Sequence, residues 1–361
     1  MDSRSRSSPH RVLVPCACDT VTDGFRVRAT LCCNPAAAIA AEVRMSDGDT
    51  PIQCGLFFPQ VATDFGGLVE RARACEDGGW HSLWLADHMW ARGLPDVDHL
   101  EIWTALAALA VRTTHLRLGT LVLCNSYRNP ALLAKMASSL DQISEGRLEL
   151  GIGAGWMDEE YRGYGYNFPP VRVRIEQLDE GLDVIKRLFT ERRATFQGKY
   201  YALDDAPNNP KAVQSPYPPI TIGGSGERKL LRLVARYADR WNCPMNAAAD
   251  LPHKLEVLRS HCADVGRDPA EITVSEQVIV VLGKDEADFK QRWAMAKQML
   301  GGFADLDAIA VRGTSEEVVA GLRAKIDHGV RLFTIMFGDF APVETLRLFS
   351  ESVIPALRTS S

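Results

Sequence analysis

From Ile52 onward the chain repeats one unit eight times: a short apolar run, then a longer segment whose apolar residues recur at three- and four-residue spacing. The runs are Ile52–Phe58, Ser82–Asp87, Leu116–Leu123, Leu148–Gly153, Ile220–Gly224, Arg240–Cys243, Thr273–Leu282 and Leu332–Phe337. Helical spacing marks Leu68–Gly78, Ile102–Val111, Leu132–Ile143, Leu178–Phe189, Lys229–Ala238, Lys254–Cys262, Glu316–Ile326 and Val343–Leu357. Strands buried on both faces and separated by crossover helices pair in parallel. Eight such units in roughly 310 residues predict an α/β fold, a (β/α)8 TIM barrel forming a single domain with insertions, since the bare barrel takes about 250. The surplus falls in Trp156–Val171 with Thr190–Pro219, and in the extra helical pattern Glu286–Met299. A doubly wound dinucleotide fold is disfavoured. Its G-x-G-x-x-G turn is incomplete at Gly151-Ile-Gly153-Ala-Gly155, and no Walker-type phosphate loop is present.

Residues 1–50 lack either periodicity and read as a disordered extension, with Met45 as an alternative start just ahead of the patterned region; residues 51–361 form the folded domain. Lys and Arg number 41 against 46 Asp and Glu, with no local basic stripe, which removes nucleic acid as a partner. No apolar run approaches the roughly 20 residues that cross a bilayer, and the amino terminus does not read as a signal peptide. The nine cysteines are odd in number and mostly sit inside apolar or helical stretches, as reduced thiols of a cytoplasmic protein do. Cys16/Cys18 and Cys32/Cys33 lack zinc-knuckle spacing, so no metal is expected.

Barrel active sites are built from the loops after the strands, and the polar and glycine residues gather there. Pro59-Gln60 follows the first run, Asp87-His88 the second, Cys124-Asn125 the third, Gly153-Ala154-Gly155-Trp156 the fourth and Gly223-Gly224-Ser225-Gly226 the fifth. Imidazole suits proton transfer near neutral pH, and the preceding Asp87 is placed to bias the tautomer of His88. The plainer alternative is an Asp that caps the loop and a His that packs. The glycine turn lets backbone approach an anion at a helix start, with Ser225 offering a hydroxyl; the alternative is an ordinary turn capped by Ser225. Most of the tryptophans sit at core spacing, whereas Trp90 and Trp156 fall in loops beyond strand ends and are candidate substrate-pocket walls.

The stretches Gly55-Leu-Phe-Phe-Pro59, Ser82-Leu-Trp-Leu-Ala-Asp-His88, Leu116-Arg-Leu-Gly-Thr-Leu-Val122, Asn129-Pro-Ala-Leu-Leu-Ala-Lys135, Gly146-Arg-Leu-Glu-Leu-Gly-Ile-Gly-Ala-Gly-Trp156 and Ile222-Gly-Gly-Ser-Gly226 occur in that order. In this order they resemble the bacterial luciferase-like monooxygenase superfamily, in its F420-dependent oxidoreductase branch, from about Ile52 to about Leu357. The resemblance implies a deazaflavin, coenzyme F420, at the carboxyl ends of the strands, with FMN as the alternative cofactor. It implies a non-proline cis peptide at Leu121–Val122, His88 and Asp87 as catalytic residues, and the cofactor beside Leu121, Val122, Cys124, Gly153, Ala154 and Gly155. The phosphate tail falls to Gly223, Gly224, Ser225 and Gly226. Trp156 stands where the sugar-6-phosphate dehydrogenases of the branch carry a glutamate acid, which suits a flat or apolar substrate such as an activated alkene, imine or quinone.

Three functions follow in order of expectation: hydride transfer between F420 and a small organic substrate, an FMN-dependent monooxygenase served by a cofactor-reducing enzyme, and a non-catalytic flavin-binding barrel. A homodimer is compatible with each.

Overall fold

Eight parallel strands of a computed structural model, which describes residues 51–302 and 304–358, close into a ring. In chain order they are β1 (Gln53–Phe57), β2 (Ser82–Leu85), β3 (Arg117–Thr120), β4 (Leu148–Gly153), β5 (Ile220–Gly223), β6 (Arg240–Cys243), β7 (Thr273–Leu282) and β8 (Leu332–Phe337). Each pairs in parallel with its successor, and β8 returns to β1. This is the (β/α)8 barrel that the eightfold repeat predicts. The reading of residues 1–50, and with it Cys16, Cys18, Cys32 and Cys33, lies outside the described residues. Cys54, Cys75, Cys124, Cys243 and Cys262 are free and buried. No helix of the described residues is long and apolar enough to cross a membrane.

Helix starts follow local chemistry. Asp64 accepts the Gly67 N–H at 2.8 Å to open Phe65–Asp77, and Asn129 accepts the Ala131 N–H ahead of Pro130–Ile143, whose proline occupies the first turn where its missing N–H costs nothing. The two insertions take definite shapes. Asp158–Gly163 is a short helix, Ala194–Gln197 and Ala202–Ala206 form an antiparallel hairpin, and Glu286–Leu300 is an added helix after β7.

Most element ends shift from the periodicity, and two of these shifts bear on the site. The third apolar run is broken: β3 ends at Thr120, Leu121–Val122 is a cis peptide, and Leu123–Cys124 resumes pairing against β4. The helix after β5 starts at Leu230, because residues 227–229 form a turn rather than its first residues.

The barrel centre is filled by Trp84 of β2, which is fully buried and donates from Nε1 to Ser82 Oγ at 2.7 Å. Its two flanking strands supply glycines against the indole, Gly119 level with it and Gly55 level with Ser82. A Cβ on Gly55 would sit 2.6 Å from Trp84 Nε1, and one on Gly119 would collide with its six-membered ring. At the amino ends of the strands, the fully buried Glu149 is ion-paired with both Arg117 and Arg240. Burial pushes the Glu149 carboxyl up, but the charges of Arg240 and then Arg117 outweigh it and hold the group below its ordinary value. That end is a structural brace, far from the loops that follow the strands.

Candidate active site

The loop after β2 begins with Ala86, Asp87 and His88, and a buried side chain from the loop after β1 aligns it. Gln60 donates from Nε2 to Ala86 O at 2.8 Å and to Leu100 O at 3.0 Å, while its Oε1 accepts the Ala86 N–H at 3.0 Å. Gln60 therefore clamps both ends of the long loop that carries His88, Trp90 and Arg92.

His88 does not take Asp87 as its partner. Its Nδ1 lies 2.9 Å from Oε2 of Glu160, in the short helix after β4. Glu160 also accepts the Met89 N–H at 2.5 Å and the Tyr127 hydroxyl at 2.8 Å. Burial raises the Glu160 carboxyl, yet the hydrogen bond and charge of His88, with those two further donors, hold it below the usual carboxylate range. An ionised carboxylate accepts only, so Nδ1 of His88 donates to it, and in the neutral imidazole Nε2 keeps its lone pair. The sequence reading missed Glu160. Its only local signal was an acidic run, Asp158-Glu-Glu160, two residues beyond Trp156.

Asp87 is turned the other way. Its carboxylate takes a bidentate pair from Arg128 at 2.8 and 2.9 Å and accepts the Cys124 N–H at 2.8 Å. It ties the end of β2 to the segment just past the cis peptide, and with both carboxylate oxygens taken by Arg128 it does not make the hydrogen bond expected to bias the His88 tautomer.

The glycines after β4 and β5 make room for protein as well as for a ligand. Val122, at the bulge, points between them: a Cβ on Gly153 would lie 2.9 Å from Val122 Cγ2, and one on Gly223 the same distance from Cγ1. Gly155, with φ of +76°, leaves space for the Tyr161 hydroxyl, which lies 2.9 Å from Cys124 Sγ. Leu121 and Cys124 are buried, while Val122 and Ala154 are partly exposed on this face.

Past β5, Gly224 at φ of +128° turns the chain, held by Trp241, whose Nε1–H donates to Gly224 O at 2.8 Å, and by Asn242 O, which accepts the Gly224 N–H at 3.2 Å. The N–H groups of Ser225, Gly226, Glu227 and Arg228 have no hydrogen-bond partner among the described residues. Ser225 does not cap the helix; its carbonyl instead faces Lys254 Nζ at 3.4 Å. These successive free amides lie ahead of a helix, and the Lys254 ammonium beside them is paired with Glu227 Oε1 at 3.0 Å.

Trp156 is 53% exposed and meets the His88 ring edge-on at 5.6 Å. Trp90 stacks on Tyr164 at 5.7 Å and seats against Gly163, which locks the loop after β2 to the insertion after β4. A second imidazole, His99, lies in the same loop with both ring nitrogens buried and unpartnered among the described residues; burial, then the charge of His88, drives it down to about 4 despite Glu160, so it is neutral.

A family model described as luciferase-like monooxygenase matches residues 52–317. An F420-dependent glucose-6-phosphate dehydrogenase of Kineococcus radiotolerans is 31% identical over 320 residues, covering 81% of this chain and 93% of that protein. An F420-dependent hydroxymycolic acid dehydrogenase of Mycobacterium tuberculosis is 26% identical over 312 residues, covering 81% of this chain and 84% of that one. Among solved structures, an F420-dependent secondary alcohol dehydrogenase in complex with an F420-acetone adduct superposes with a TM-score of 0.74 at 22% identity, over 86% of this chain and all of that one.

Proposed function

We propose, from the premise that this chain belongs to the luciferase-like monooxygenase family, that it is an F420-dependent oxidoreductase acting on a small organic substrate. The observation that carries the reading is the His88–Glu160 pair: a histidine with Nδ1 anchored and Nε2 free, at the end of β2 where barrel chemistry is done. The residues fit the cofactor. The free amides of Ser225 to Arg228 would hold its phosphate, and the bulge at Leu121–Val122, braced by Asp87 through Cys124, would support its ring.

When bound, a deazaflavin supplies hydride acceptance or donation, and the protein supplies orientation and proton transfer. Nε2 of His88 accepts the proton of a substrate hydroxyl as the carbon is oxidised, or returns it when a carbonyl is reduced. Glu160 stabilises the imidazolium that forms on oxidation and that serves as proton donor on reduction, and it stays ionised because three donors hold it so. Trp156 packs against the imidazole in a T-shaped contact and would orient it.

The test is titration of the purified full-length protein with F420 and with FMN, followed by single-turnover hydride transfer in His88→Asn. The expected outcome is F420 binding, with turnover lowered roughly 100- to 10,000-fold and cofactor affinity nearly unchanged. Binding of FMN in preference to F420 places the chain with the oxygen-using monooxygenases, and normal turnover in the variant removes His88 from the chemistry.

A further inference from the structure

The rim above the His88–Glu160 pair carries a cation with no carboxylate opposite it. Arg92 is exposed and forms no ion pair among the described residues; its guanidinium carbon lies 5.5 Å over the ring of Trp156. The other arginines of this rim are occupied. Arg128 is held by Asp87 and Glu101, and Arg162 by Asp158 at 2.9 Å. Glu159 is the exposed carboxylate next to this patch in sequence, and it is paired with neither Arg92 nor Arg162.

Trp156 thus contacts two polar groups, the His88 imidazole edge-on at 5.6 Å and the Arg92 guanidinium over its ring at 5.5 Å. An exposed aromatic ring with an unpaired guanidinium over it offers flat apolar surface and positive charge together, which a planar anion matches. We propose that the substrate is a planar carboxylic acid, its carboxylate bound by Arg92 and its flat unsaturated part lying on Trp156. The reacting carbon then lies at the His88 end and the anionic group at the Arg92 end.

A guanidinium presents a planar pair of N–H donors that matches a carboxylate. A phosphate dianion calls for more cations than this rim provides, since every other arginine here is neutralised by an acid. The Trp90–Tyr164 stack continues the apolar rim and sets the width of the flat part. The proposal rests on the reading of His88 as the reacting end.

The experiment uses the full-length protein with F420 bound and two matched probes, 2-naphthoate and 2-naphthamide, which share a flat ring system and differ in charge. Calorimetric titration reads their affinities without turnover. Wild type is expected to bind the naphthoate roughly tenfold more tightly than the amide. R92Q should bring that ratio close to one with the amide unaffected and Tm unchanged, and W156A should weaken both probes by a similar factor. R92K should restore part of the preference, because it keeps the charge and loses the planar fork. Equal affinity for the two probes in wild type, no binding of the naphthoate, or an unaltered ratio in R92Q overturns the proposal. Failure of the wild-type sample to take up F420 in the loading step overturns the functional reading instead, so the two failures are told apart.

Discussion

His88 and Glu160 are 72 residues apart in the chain and 2.9 Å apart in the fold, joined through Nδ1 and Oε2. Glu160→Gln should therefore act through His88. The neutral amide no longer fixes the tautomer or stabilises the imidazolium, and hydride transfer is expected to fall roughly 10- to 100-fold, with a changed pH profile and cofactor affinity nearly intact. Rates measured across pH for wild type and variant check this. A purely structural Glu160 predicts lost stability with an unchanged profile.

The proposed anion cradle is best probed at Gly226. A Cβ there meets only Leu230 Cβ at 3.5 Å, whereas one on Gly224 would approach Leu230 Cδ2 to 2.5 Å on a backbone at positive φ. Gly226→Val should fold normally and bind F420 at least tenfold more weakly, because the side chain screens neighbouring amides from the phosphate. Unchanged affinity by fluorescence titration would sink the cradle.

Trp84 and Gly119 form one packing unit. Gly119→Ala drives a methyl into the indole, and the expected loss is about 2–3 kcal/mol by denaturant unfolding. Combining it with Trp84→Leu should cost less than the two changes added, since the leucine vacates the space that the methyl needs. Strict additivity would show that the two sites do not share that space.

Glu149 supplies a pH dependence whose sign is determined. Its folded value lies below its unfolded one, so its stabilisation is fully present above the ordinary glutamate value of about 4.3 and is lost as pH falls through the lower folded value. Glu149→Gln should lower stability by about 3 kcal/mol near neutral pH, since it leaves Arg117 and Arg240 without their shared partner. Below pH 4 the gap between variant and wild type should narrow. A gap that stays constant down to acid pH contradicts the assignment.

The sequence by itself determined the barrel. Apolar periodicity is a property of neighbouring residues, so β4, β6, β7 and β8 were legible to the residue, and the glycine and polar positions after β2, β4 and β5 marked the carboxyl ends of the strands. The cis peptide at Leu121–Val122 was reached only through resemblance to a family, because nothing in the local composition distinguishes it from a continuing strand. Tertiary structure alone decided the partners. Asp87 adjoins His88 in the chain, but the guanidinium of Arg128 takes its carboxylate, and the imidazole pairs instead with an acid from another loop. Gly153 and Gly223 read as backbone open to a ligand, and the fold gave part of that space to Val122. The physical reason is common to these cases: burial and periodicity depend on a residue's own apolar surface, whereas a hydrogen bond or an ion pair depends on which groups the closed barrel brings within 3 Å.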